Sequence, residues 1–247
     1  MVYVHPLFLS IIFIGLISGL FKNIIFFTSI IFIHELGHFL MARFFGWNVD
    51  KIYFYPYGGF TKFNDDLNRP KYQELIIMVS GTIFQVLYFF IIINFLTINE
   101  MELFKDYHYS ILLFNLMPIY PLDGGKLLNL ILNVFLSFRK GFKATIFLSY
   151  ICLFVFACVL FLKNISISLS TFLVLTLLMC KLTKEYKKEK FYFNKFLLER
   201  YLNNYEFKKY KIIKGIDDMT RDYKHVVFND SRTKTEKEVL SNYFHRK

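Results

Sequence analysis

The feature that most restricts this chain's fold is the length of its apolar runs. The stretches at about 73–98 and 142–162 each carry a single charged residue, near their start. Hydrophobic blocks of about 20 residues are long enough to cross a bilayer as a helix. Of the 247 residues, 55% are hydrophobic, above the roughly 45–50% typical of soluble domains. The blocks therefore predict an all-α, polytopic membrane protein.

Six spans are expected, at about 6–21, 24–45, 73–98, 103–122, 142–162 and 165–182. The charges in the connections test that count. Arg43, Lys51, Lys62, Arg69 and Lys71 lie between spans two and three, and Lys126, Arg139, Lys140 and Lys143 between four and five. The first and fifth connections offer only Lys22 and Lys163, and the third sets Lys105 against Glu100, Glu102 and Asp106. Lys and Arg thus alternate from connection to connection, as the positive-inside rule requires for a multi-pass protein with both termini cytoplasmic.

The net charge of +11 fits that picture: residues 181–247 hold 18 Lys/Arg against 10 Asp/Glu, leaving only +3 for the rest. A basic segment beside a span reads as topology and attraction to anionic lipid. No nucleic-acid module accompanies it, so nucleic acid is not expected as a partner. Cys152, Cys158 and Cys180 lie in apolar runs without a CxxC, which supports neither a disulfide framework nor a thiolate zinc site.

Within the second span the chain reads IFIHELGHFLMAR (31–43). Carboxylates at a span's centre cost roughly 2.5–3.5 kcal/mol on insertion scales, so intramembrane ionisable residues read as a functional site. On a helix, His34 and His38 project from one face with Glu35 next to His34. Two imidazoles at that spacing can hold one zinc ion, and the glutamate can act as general base on the water that zinc activates. A hydrolytic zinc needs a third protein ligand. The extended soluble pattern fails, because Met41 and Phe44 stand where Gly and His are required. Asp123, in NLMPIYPLDGGK at the end of span four, is the better candidate. Pro118 and Pro121 break the helix there and Gly124-Gly125 allow an unusual turn. Residues 51–63, KIYFYPYGGFTKF, read as two short extended pieces around a glycine turn, with Pro56 marking an edge. They form either an interfacial loop or a re-entrant hairpin, the latter tolerated at depth only where protein or water covers it.

HELGH in the second span, SGTIFQ (80–85) in the third and NLMPIYPLDGG in the fourth together resemble the site-2 protease family (peptidase family M50) of intramembrane zinc proteases. Within that family the likeness is closest to the stage IV sporulation FB subgroup, and it covers about residues 1–182. The resemblance implies one Zn2+ held by His34, His38 and Asp123, Glu35 as general base, and Asn115 assisting catalysis. It also implies a re-entrant substrate-binding loop at Tyr55, Pro56, Tyr57, Gly58 and Gly59. The third-span motif departs from the family's usual Ser-Gly-Pro: Thr82 replaces the proline and Gln85 takes the later polar place.

The expected activity is a metalloendopeptidase cutting a membrane-associated protein near the cytoplasmic face. In the sporulation subgroup that substrate is a pro-sigma factor, processed on the mother-cell side under membrane-protein regulators. Alternatives are a related protease with another membrane-tethered substrate, or a non-proteolytic metal-binding membrane protein. A transporter would line several spans with ionisable groups, and spans one, five and six contain almost none. Residues 183–205 suit an amphipathic juxtamembrane linker. Residues 206–247 resemble part of a CBS-type domain, which implies a small cytoplasmic α/β tail with a docking role.

Overall fold

In the computed structural model, residues 2–4, 6–55, 58–63, 67–162, 169–203, 205–207, 209–229 and 232–245 are described. Pro56 and Tyr57, named above as substrate-binding, lie outside the described residues. The chain is mostly helical and divides into two compact units, Met1–Asp65 with Tyr72–Met117, and Asp66–Lys71 with Pro118–Lys247.

The first unit contains helices α1 (Pro6–Ile17), α2 (Phe21–Phe44), α3 (Lys71–Ile92) and α4 (Ile98–Leu116), with strands β1 (Val2–Val4), β2 (Val49–Tyr55) and β3 (Gly58–Phe63). On α2 the buried positions are Ile30, Ile31, His34, Glu35, Gly37, His38 and Ala42, which share one face through steps of three and four residues. The opposite face shows Phe32, Leu40 and Phe44 to the outside. On α3, Ser80 and Gln85 are buried while Ile83, Leu87 and Phe90 are exposed. Polar side chains inward and large apolar ones outward is the reverse of a water-soluble helix, and it is stable only where the surroundings are apolar.

Glycine sets how closely α2 and α3 approach. A Cβ on Gly37 would stand 2.7 Å from the Ser80 carbonyl oxygen and 2.9 Å from the Phe84 Cβ. Helix α4 closes the other side, with Phe104 packed on Ile30 and Phe89. Its start is fixed by a capping box at Thr97 and Glu100 and by an ion pair from Lys22 to Glu100 at 2.6 Å. The Lys22 hydrogen bond, followed by those from Thr97, holds the Glu100 carboxyl down at about 2. The three strands form one sheet in the order β1-β2-β3, β1 parallel and β3 antiparallel to β2. Tyr55 pairs with Gly58 and Phe54 with Gly59, so the expected hairpin is present. Both glycines stand in β3 and not in the turn.

The second unit holds α5 (Asp123–Phe135), α6 (Phe138–Leu162), α7 (Leu169–Lys187), α8 (Glu189–Leu202), β4 (Tyr210–Ile213), β5 (Lys224–Asn229), β6 (Arg232–Thr235) and α9 (Glu236–His245). Helix α5 departs from the sequence reading, which expects Gly124-Gly125 to form a turn. Both glycines are buried in its first helical turn, and a Cβ on Gly125 would collide with the backbone of Ile119 and Tyr120. Gly125 is there for close packing. Helix α8, expected as a linker, is built into a core: Phe193, Phe196 and Leu197 pack with Phe138, Ile213, Met219, Val227 and Leu240. A three-stranded sheet of order β4-β5-β6 and helix α9 complete this small α/β body. The segment before α3 belongs to it as well, through Leu67 N–H donating to Glu199 (2.7 Å) and Arg200 donating to Asn68 (2.9 Å).

Among the described residues three helices are long and apolar enough to cross a membrane: Phe21–Phe44, Lys71–Phe95 and Phe138–Leu162. They correspond to expected spans two, three and five. Helices α1, α4 and α7 lie at the places expected for spans one, four and six. Glu100, Glu102, Lys105 and Asp106 interrupt the apolar run of α4, and Lys181, Lys184, Glu185 and Lys187 that of α7.

Candidate metal centre

The centre grows from the buried face of α2. His34, Glu35 and His38 are all buried, and they offer ligand atoms within 4.8 Å of one another. The two imidazoles meet edge to face, with Nε2 of each ring 3.1 Å from Nε2 of the other. Hydrogen bonding at the far side of each ring decides what those nitrogens carry. His38 Nδ1 lies 2.6 Å from the Ile77 carbonyl oxygen, which can only accept, so the ring proton sits on Nδ1. His34 Nδ1 faces Gln85 Oε1 at 3.0 Å. With both Nδ1 atoms donating, both Nε2 atoms turn lone pairs toward one point. Two facing lone pairs repel, and a shared cation relieves that repulsion. The donor set therefore fits zinc, which favours imidazole and carboxylate ligands and is bound by histidines oriented through their other ring nitrogen.

Two glycines make room for this arrangement. A Cβ on Gly81, in the SGT of α3, would fall on the His38 ring, 2.5 Å from Cε1. A Cβ on Gly59, in β3, would stand 2.6 Å from Glu35 Oε1. The hairpin backbone thus lies directly against the glutamate, and among the described residues β3 pairs with β2 alone. Among the described residues β3 is thus an edge strand, the kind of strand to which an extended peptide can add.

Of the remaining site residues named from sequence, Asn115 is half-buried in the last turn of α4 in the first unit. Asp123 is the first residue of α5 in the second unit, with Lys126 Nζ 3.0 Å from its Oδ1. Tyr55 and Gly58 close the described part of the hairpin. Sequence reasoning assigned no role to Gly81, to the Ile77 carbonyl or to the amide of Gln85. A glycine and a glutamine inside an apolar run were the available signals.

A profile of peptidase family M50 matches residues 22–111, which contain the HELGH helix, the hairpin, α3 and most of α4. The chain is 32% identical over 264 residues to stage IV sporulation protein FB of Bacillus subtilis, covering 98% of this chain and 91% of that one. The chain belongs to peptidase family M50. A zinc metalloprotease of Methanocaldococcus jannaschii is 32% identical over 128 residues, 49% of this chain and 37% of that one. A putative peptide zinc metalloprotease of Bacillus subtilis is 31% identical over 123 residues, 42% and 45% of the two chains. In fold, the chain is similar to the site-2 protease from Methanocaldococcus jannaschii, with TM-score 0.58 and 21% identity over 74% of this chain and 89% of that one. As an M50 member the protein is a metalloendopeptidase that works in the membrane, and membership implies zinc.

Proposed function

We propose that this protease hydrolyses a peptide bond in a membrane-tethered protein at or just inside the cytoplasmic membrane surface. The substrate in this reading is a pro-sigma factor processed during sporulation, in keeping with what the full-length similarity to a sporulation protein suggests. His34, His38 and Asp123 bind a single zinc ion. The observation that carries the reading is the convergence of two imidazole Nε2 atoms, 3.1 Å apart, on the buried face of a helix long and apolar enough to cross a membrane, with a carboxylate beside them.

Bound there, zinc would supply Lewis acidity, polarising the scissile carbonyl and lowering the pKa of water. Glu35 takes the proton of the attacking water and passes it to the leaving amine. The substrate segment lies extended along the free edge of β3, where Gly59 leaves its backbone room next to Glu35. A helical substrate hides its amides, so this strand-like capture also unwinds it locally. Asn115 donates a hydrogen bond to the substrate backbone or the oxyanion.

Both termini face the cytoplasm in this reading, on the mother-cell side. Two sets of contacts support it: the basic stretches of the second and fourth connections hydrogen-bond to the tail in one unit, and the first and third connections are joined by Lys22 and Glu100 in the other. The tail serves as a docking body for the substrate.

The test is co-expression with a candidate pro-sigma factor. Wild type should release the mature factor, and Glu35→Gln should bind zinc without releasing it. Identical product profiles from the two would remove Glu35, and this protease, from the processing.

A further inference from the structure

Gln85 lies on α3 and is fully buried, and both ends of its amide are committed. Its Nε2 donates to the backbone carbonyl of His108 on α4 at 3.0 Å. That carbonyl has no proton to give, so the amide end facing it must be the NH2 group. The other end is therefore Oε1, and it faces His34 Nδ1 at 3.0 Å. An amide oxygen has no proton either, so His34 carries a proton at Nδ1, and the neutral ring, the form that can bind a metal, is bare at Nε2. The His108 backbone is itself held in place, because the His108 ring stacks on Phe89 with centroids 4.4 Å apart, one turn beyond Gln85 on α3. The chain of constraint runs from α4 through one glutamine to one ring on α2.

We infer that Gln85 is a positioning residue that selects the metal-binding tautomer of His34 and fixes its ring orientation by a one-way hydrogen-bond relay from the His108 carbonyl. This inference rests on the proposed role of His34 as a ligand. His38 obtains the same result from a backbone carbonyl, which no substitution of side chain can remove. His34 depends on a side chain, so His34 is the ligand whose orientation a single substitution can release. Gln85 is fully buried, so solvent does not reach this side of the ring to replace the lost acceptor. A ring without it can flip or change tautomer and turn N–H toward the metal position. Outer partners of this kind typically contribute about 10–100-fold to metal affinity.

The test measures zinc affinity of the full-length chain in detergent by competition with a chromogenic chelator, comparing wild type, Gln85→Leu, Gln85→Glu and His34→Ala. Leucine fills similar volume but cannot accept, and affinity should fall about 10–100-fold. Glutamate, protonated in this buried position, keeps a donor for the His108 carbonyl and an oxygen on His34 Nδ1, and should bind zinc about as tightly as wild type. A merely space-filling role would not separate these two variants. Wild-type affinity in Gln85→Leu, or equal losses in both Gln85 variants, would overturn the inference alone. Failure of the wild-type chain to take up zinc, or uptake undiminished in His34→Ala, would overturn the ligand assignment along with it. Should Gln85→Leu not fold, the tautomer is read directly in wild type labelled with 15N-histidine. A His34 ring protonated at Nδ1 supports the relay, and one protonated at Nε2 refutes it.

Discussion

Substituting Gly81 by alanine adds one methyl group to α3, and the structure says where it must go. The new Cβ would lie 2.5 Å from Cε1 of His38 and 2.9 Å from Cδ2. Non-bonded carbons rest at about 3.5–4.0 Å, so ring or helix must yield by about 1 Å. The ring cannot rotate away freely, because its Nδ1 is tied to the Ile77 carbonyl at 2.6 Å. The helices cannot part freely either, since Gly37 brings α2 close to Ser80 and Phe84 on the same stretch of α3. Metal–ligand distances hold to about 0.2 Å, and a 1 Å misplacement in a catalytic constellation can cost about 100-fold in rate. Overpacking of this kind destabilises by about 1–3 kcal/mol, which a helical protein of this size can absorb while remaining folded. Gly81→Ala should therefore melt slightly earlier, lose zinc faster to a chelator, and cleave a substrate about 100-fold more slowly. Zinc per chain by mass spectrometry after a timed chelator challenge, alongside cleavage rate, is the assay. Ile83→Ala, on the exposed face of the same helix, is the control. Full zinc retention with wild-type turnover in Gly81→Ala would refute the claim that this glycine makes space for a ligand.

Three further outcomes are expected. Gly59→Val would push a branched side chain into Glu35 from β3, so zinc should stay bound while kcat falls. Wild-type kcat in Gly59→Val, or loss of zinc from it, would contradict the assigned geometry. In the second unit Arg200 is buried and donates to Glu236 at 2.9 Å, and Arg200→Met should destabilise that unit by about 3–5 kcal/mol by leaving the buried Glu236 without its cationic partner. A melting curve with no earlier transition would argue against it. That unit should also weaken on acidification. Burial pushes the His225 imidazole below its usual 6.5. The Thr220 N–H donates to its Nε2, which places the ring proton on Nδ1, facing Glu236. Burial alone would raise the Glu236 carboxyl, but the His225 hydrogen bond and the Arg200 charge hold it below its usual 4.5. Both folded-state values are depressed, so the unfolded chain binds more protons and stability rises with pH. The stabilisation is complete above about 6.5, declines as His225 is forced to charge, and falls further below 4.5 as Glu236 protonates. A melting temperature of the tail that is flat from pH 7 to pH 4 would show that these groups do not govern it.

Much of this protein is legible in its sequence because the relevant physics is local. Four-residue spacing puts His34 and His38 on one helical face wherever that helix is placed, and an apolar run of spanning length sends it into a membrane. The hairpin at 49–63 follows from aromatic and β-branched residues interrupted by proline and glycine. What the tertiary structure decided are the contacts between segments far apart in the chain. No pattern in the sequence says that Gly81 must stand under an imidazole of α2, or that Gly59 brings the backbone of β3 onto Glu35. Gly124 and Gly125 look like a turn because glycine permits one, yet both stand in a helix, and Gly125 lets it approach another stretch of backbone closely. Gln85 looks like a single polar interruption of an apolar run, and only the carbonyl of His108 determines which way its amide points. Close approach and hydrogen-bond direction are properties of pairs brought together by folding. A linear pattern records which residues permit them, and the packed helices determine which of them occur.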